Sequence, residues 1–278
     1  MEFTWYETLI YGLVSGLCDI LPVSAQAHRM LLLKLYGENA DLGLMRLFIH
    51  VSIIGAVYFH CQPHIVRILR AKRLSRVPKR RRKRPLDTKS LMDYSLWKTM
   101  LIPVILSFFL YGKAQSLSAH LVWVAVFLLL NGLILYIPQF LPGSNKDSRT
   151  LSRVDGLLMG LGGAASILPG ISGLGAAVSV ASICGVERGY GLTMALLMNL
   201  AVLAGQIVFD VMAVAKLGLI GLSFGNILSC LLAGIAAFAG AYAGIRLLTN
   251  LVKDRDYTVF AYYCWGAALF TFVLNLMA

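Results

Sequence analysis

The sequence predicts an all-α polytopic membrane protein: about six transmembrane helices plus two opposed re-entrant helical hairpins related as inverted repeats. Three observations predict it. Of the 278 residues 58% are hydrophobic and only 14% charged, whereas soluble domains carry roughly 25% charged residues. The mean hydropathy of +0.75 excludes a water-soluble globular domain. Lastly, two of the apolar stretches are interrupted midway by proline, glycine and serine, in similar strings.

Six stretches are long enough, or nearly so, to cross a hydrocarbon core as helices. They cover about 42–61, 98–112, 119–139, 191–215, 225–249 and 257–277, the second short with Pro103 near its start. Regions 3–36 and 154–188 are the interrupted ones. The first breaks at Ile20-Leu21-Pro22-Val23-Ser24 and the second at Ile167-Leu168-Pro169-Gly170-Ile171-Ser172. Proline removes a backbone donor and clashes with the preceding turn. Such a break is tolerated at membrane depth only where protein or a water-filled cavity serves the freed groups, and paired breaks in two halves of a chain point to a midplane site. The chain thus reads as one integral membrane domain over 1–278, with a first repeat at about 1–139 and a second at about 154–278.

The net charge of +12 is local, for 11 cations and no acid lie between Arg67 and Arg84. Placed in a loop spanning 62–97, they predict a cytoplasmic segment that also attracts anionic lipid. No nucleic-acid partner is implied, because no reading domain accompanies the charge. With that loop inside, 20 of the 25 Lys and Arg residues fall on the inner side, and the two hairpins enter from opposite faces so that their tips meet near the middle. The five cysteines are scattered through apolar segments and read as small buried hydrophobes.

Chemistry concentrates at the first break. Ser15, Asp19, Ser24, Gln26 and His28 crowd one apolar stretch, with Arg29 beside them, and ionisable groups at membrane depth mark function. Ser15 and Asp19, four apart, share a helix face. A carboxylate, an imidazole and a hydroxyl are the means of acid-base or nucleophilic catalysis, and helix N-termini past a break favour a phosphate. Arg29 either swings into this site or snorkels to the outer interface. Gln206 and Asp210 share a face of a later span, where with Asn199 they line a cavity or bond between helices. His50, His60, His64 and His120 show no metal spacing and read as packing or interfacial residues.

The string Gly16-Leu17-Cys18-Asp19-Ile20-Leu21-Pro22-Val23-Ser24-Ala25-Gln26-Ala27-His28 resembles the signature of the undecaprenyl-diphosphate phosphatase, or bacitracin-resistance, family. Leu168-Pro169-Gly170-Ile171-Ser172-Gly173-Leu174-Gly175 resembles its second signature. The departures fall on the family's catalytic positions: Ser15 stands for one glutamate, Asp19 for the other, Ala25 for a serine, Gly173 for a phosphate-clamping arginine and Leu174 for a further serine. The resemblance implies Asp19, Ser24 and His28 as catalytic residues and Ser15, Gln26, Arg29, Gly170 and Ser172 as substrate-binding ones. It also implies Mg2+ or Ca2+ held by Asp19, although the lost carboxylate weakens such a site. The implied activity is hydrolysis of a polyprenyl diphosphate to the monophosphate in the lipid-carrier cycle of the cell envelope, in a multi-pass protein of the bacterial plasma membrane, with a homodimer possible. The alternative keeps the scaffold and loses the catalyst: a lipid-phosphate transporter or flippase.

Overall fold

The computed structural model describes residues 4–37, 43–82, 85–141, 145–217, 224–254 and 257–277. Lys83, Arg84 and Arg255 of the cation tally lie outside these residues, as does the start of the first expected span.

A capping box opens the first helix, α1 (Trp5–Ile20): the Thr4 backbone N–H donates to Glu7 Oε2 at 2.8 Å. Pro22 ends it, and Ser24 caps the second, α2 (Ala25–Leu35). The corresponding pair is α7 (Arg153–Ala164), opened by a Ser152/Asp155 capping box, and α8 (Gly173–Ile183), capped by Ser172. All four helices fall short of the ~20 residues that cross a bilayer, and within each pair the two members pack on each other.

Six helical stretches are long and apolar enough to cross a membrane. They are α3 (Gly43–Ser75), α4 (Thr88–Ser107) continuing through a 3-10 turn into α5 (Tyr111–Leu117), α6 (Leu121–Tyr136), α9 (Arg188–Leu217), α10 (Phe224–Asp254) and α11 (Thr258–Met277). The expected loop at 62–97 is mostly helix. α3 runs through Pro63 to Ser75, carrying Arg67, Arg70, Lys72 and Arg73 on its last turns. α4 starts ten residues before the expected span, because Asp87 caps it by accepting from Ser90 N at 3.0 Å. That hydrogen bonding holds the Asp87 carboxyl below the usual carboxylate range. Apolar length locates the lipid-crossing part of a helix, whereas caps and breakers locate its ends, so the charged extensions escaped the hydropathy reading.

Small residues seat the short helices against long ones, as lipid-embedded packing favours. A Cβ added to Gly16 would collide with the Ala237 backbone on α10. Elsewhere α3 packs on α9 and on α10, and α6 on α11. Between these layers the two helix breaks meet: a Cβ on Gly175 would lie 2.5 Å from Pro22 Cβ.

Candidate functional site

Asn131, buried in the apolar α6, ties the breaks together. Its Nδ2 donates to Pro22 O at 2.9 Å, and its Oδ1 accepts from Ser172 N at 2.9 Å. One side chain therefore satisfies a carbonyl freed by the first break and an amide freed by the second, as a buried backbone requires. Nothing in the sequence marks it, since a lone asparagine in an apolar span carries no pattern.

Held in this way, α2 and α8 bring their N-termini to one small cleft, lined at its floor by Ala25, Gln26, Gly173 and Leu174 from their first turns. First-turn N–H groups have no partner within their own helix, and the helix dipoles favour an anion there. Both caps are serines. Ser24 Oγ accepts from Ala27 N at 3.5 Å and Ser172 Oγ from Gly175 N at 3.2 Å. Ser24 is held at φ 68°, the one non-glycine with positive φ among the described residues, and strain of this kind gathers at functional sites.

Asp19 is the one carboxylate among the described residues that line the cleft. Arg29 faces it at 3.9 Å, with its side chain only 9% exposed, so Arg29 turns inward and does not snorkel. Its Nη1 has no hydrogen-bond partner, nor has Asn199 Nδ2 across the cleft. Unpaired buried donors are uncommon and costly. Two of them in the lining of one cleft, with a carboxylate and two helix N-termini, make a pocket suited to the oxygens of an anion. Ser172 completes the lining.

Several expected site residues sit elsewhere. His28 is in neither cleft nor cavity lining; its Nδ1 donates to Ser24 O at 2.8 Å, which leaves Nε2 to accept from the Tyr263 hydroxyl at 2.7 Å. The imidazole is thus occupied in bracing the break against α11. Ser15 is fully buried with an unpaired hydroxyl and does not line the cleft, and Ser24 is confined to its cap. Gly170, at φ +123°, is packed on α6, where a Cβ would lie 2.7 Å from Phe127 Cβ. Shared faces were legible from spacing, but helix rotation is set by packing.

Position 173 is informative in a different way. A Cβ there would lie 2.8 Å from Gly163 O and 2.5 Å from Ser166 Cβ, so α7 has closed over the place where the family signature has its arginine. The Asp19 carboxylate also stands alone: among the described residues no three His, Cys, Asp or Glu side chains gather as metal ligands would. Mg2+ and Ca2+ take about six or more oxygen ligands, of which Asp19, already facing a guanidinium, is the one carboxylate among the described lining residues.

The cleft, about 30 Å3, adjoins a far larger chamber of about 630 Å3, and Gln26, Arg29 and Gln206 line both. Gln26 Nε2 donates to Gln115 Oε1 at 2.9 Å. In the chamber wall His50 Nδ1 donates to Asp210 Oδ2 at 2.6 Å, and Arg46 Nε to Asp210 Oδ1 at 3.2 Å. His50 therefore is not a mere packing residue, while Gln206 and Asp210 do line a cavity.

Fold and cleft together define an integral membrane protein whose broken helices build a buried polar site beside a lipid-accessible bundle. The chain belongs to the family described as bacitracin resistance protein BacA, which matches residues 8–270. It is 29% identical over 274 residues to an undecaprenyl-diphosphatase of Methanobrevibacter smithii, with 96% of each chain covered. It is 24% identical over 275 residues to one from Halothermothrix orenii, covering 97% of each, and 27% identical over 268 residues to one from Nocardioides sp., covering 96% of this chain and 95% of that one. Family and helices make it a multi-pass plasma-membrane protein.

Proposed function

We propose that this chain dephosphorylates undecaprenyl diphosphate, the substrate for which its relatives are named, in the cleft between α2 and α8. The carrying observation is a pair of buried donors with no hydrogen-bond partner, Arg29 Nη1, 3.9 Å from Asp19 Oδ2, and Asn199 Nδ2, in one cleft with Asp19. They hold oxygens of the terminal phosphoryl group, and the first-turn N–H groups of α2 and α8 add to that hold. Asp19 takes the proton of the attacking water as the water oxygen bonds to phosphorus. The bridging P–O bond then breaks, giving inorganic phosphate and the lipid monophosphate, which leaves as an anion and needs no proton. Arg29 replaces in function the guanidinium missing at position 173.

A cleft of about 30 Å3 has room for about a water or two, so substrate binding requires Gln26 and Gln206, which line both cleft and chamber, to move aside. The two broken pairs support a reading of the halves as inverted repeats, and the cations of 67–82 suit anionic headgroups at the membrane surface. A flippase is not favoured, since the relatives are named for phosphate removal and the cleft supplies groups for it.

Phosphate release from undecaprenyl diphosphate by the purified protein in detergent tests the proposal. Asp19→Asn is expected to lose about 100-fold or more in kcat, the usual share of a positioned base. Release that persists undiminished in Asp19→Asn would overturn the assignment.

A further inference from the structure

The chamber beside the cleft is a distinct place with its own chemistry. Among the described residues Arg29, Arg46 and Lys216 line it with one carboxylate, Asp210, so the described walls carry more cations than acids. His50 and Asp210 are each about 97% buried by side chain, and their mutual hydrogen bond commits His50 Nδ1 as the donor. His50 Nε2 has no hydrogen-bond partner, and in that tautomer it holds a lone pair. An imidazole acceptor among guanidinium donors suits an anion that still carries a proton.

We propose that this chamber is a second anion site, specific for a phosphate that retains an acidic hydrogen. Arg46 and Arg29 meet its charged oxygens, and its P–OH donates to His50 Nε2, which Asp210 holds in register. Sulfate has the same size and shape but no proton to donate at neutral pH, so it leaves Nε2 unpaired. The ligand is either the inorganic phosphate produced in the neighbouring cleft or the headgroup of a lipid monophosphate. Only the first source rests on the hydrolytic reading.

The test is titration calorimetry of the purified protein in detergent with inorganic phosphate and with sulfate. Phosphate is expected to bind at least about tenfold more tightly than sulfate, the share of one buried charge-assisted hydrogen bond. This comparison needs no variant, so misfolding cannot mimic it. His50→Gln is expected to abolish the preference, and Arg46→Gln to weaken both anions by about tenfold. A short-chain prenyl monophosphate separates the sources: displacement of phosphate by it assigns the chamber to the lipid headgroup, and no displacement assigns it to the free ion. Asp19→Asn is expected to keep phosphate binding while losing turnover, which separates this site from the catalytic one. Equal affinity for phosphate and sulfate, or a preference untouched by His50→Gln, overturns the proposal.

Discussion

Arg29 shows how a site can be rebuilt around a lost residue. Its guanidinium lies 3.9 Å from Asp19 and lines both cleft and chamber, the only cation among the described residues that line the cleft. Arg29→Ala is expected to lose about 100-fold in kcat, as removal of one preorganised oxyanion donor does, and Arg29→Lys to recover part of it, because a point charge cannot fork across two oxygens. Steady-state phosphate release measures both, and an Arg29→Ala enzyme with unchanged kcat would mean that another group holds the phosphate. Putting arginine back at position 173 follows the family signature but not the space. With Gly163 O 2.8 Å from where a Cβ would sit, Gly173→Arg is expected to cost about 1–3 kcal/mol as overpacking and to lower the melting temperature in detergent without raising turnover. A variant that melts like the parent and turns over faster would show that α7 yields.

Among the elements, the two breaks were legible as strings and their mutual lock was not. Proline and serine punctuate a sequence visibly, so the ends of α1 and α2, and of α7 and α8, could be placed. What joins them is Asn131 from α6, whose amide serves Pro22 O and Ser172 N together, and no periodicity announces a single polar residue in an apolar run. Asn131→Ala leaves Ser172 N unpaired and Pro22 O with only the weak Cys264 thiol donor at 3.7 Å, and is expected to cost about 1–3 kcal/mol, with phosphate release falling in step as the helix N-termini lose their common register. Asn131→Asp keeps an acceptor for Ser172 N and loses the donor to Pro22 O, so it should fall between alanine and the parent in melting temperature. His28 lies away from the cleft lining for a related reason. One residue's rotation separates it from Arg29: both are buried, but the histidine bonds to the Tyr263 hydroxyl at 2.7 Å while the arginine lines the cleft.

For the molecule as a whole, composition fixed the class and the basic segment implies an orientation, because cations near short loops remain on the cytoplasmic side. α3 carries Arg46 and His50 near one end and Arg67 to Arg73 near the other; at about 1.5 Å of rise per residue the two groups are separated by roughly the thickness of a hydrocarbon core. The chamber lies at the end away from the basic segment, with Lys216 at the matching end of the antiparallel α9. That orientation is expected to open it to the outer face, so that phosphate set free in the cleft leaves on the outer side. All five native cysteines are buried and free, so they give little background to a thiol reagent. A membrane-impermeant maleimide applied to intact cells is expected to label Lys216→Cys, and to label Lys79→Cys only after the cells are opened. The reverse pattern would place the chamber in the cytoplasm, and would make the cytoplasmic leaflet the source of the lipid that reaches Asp19.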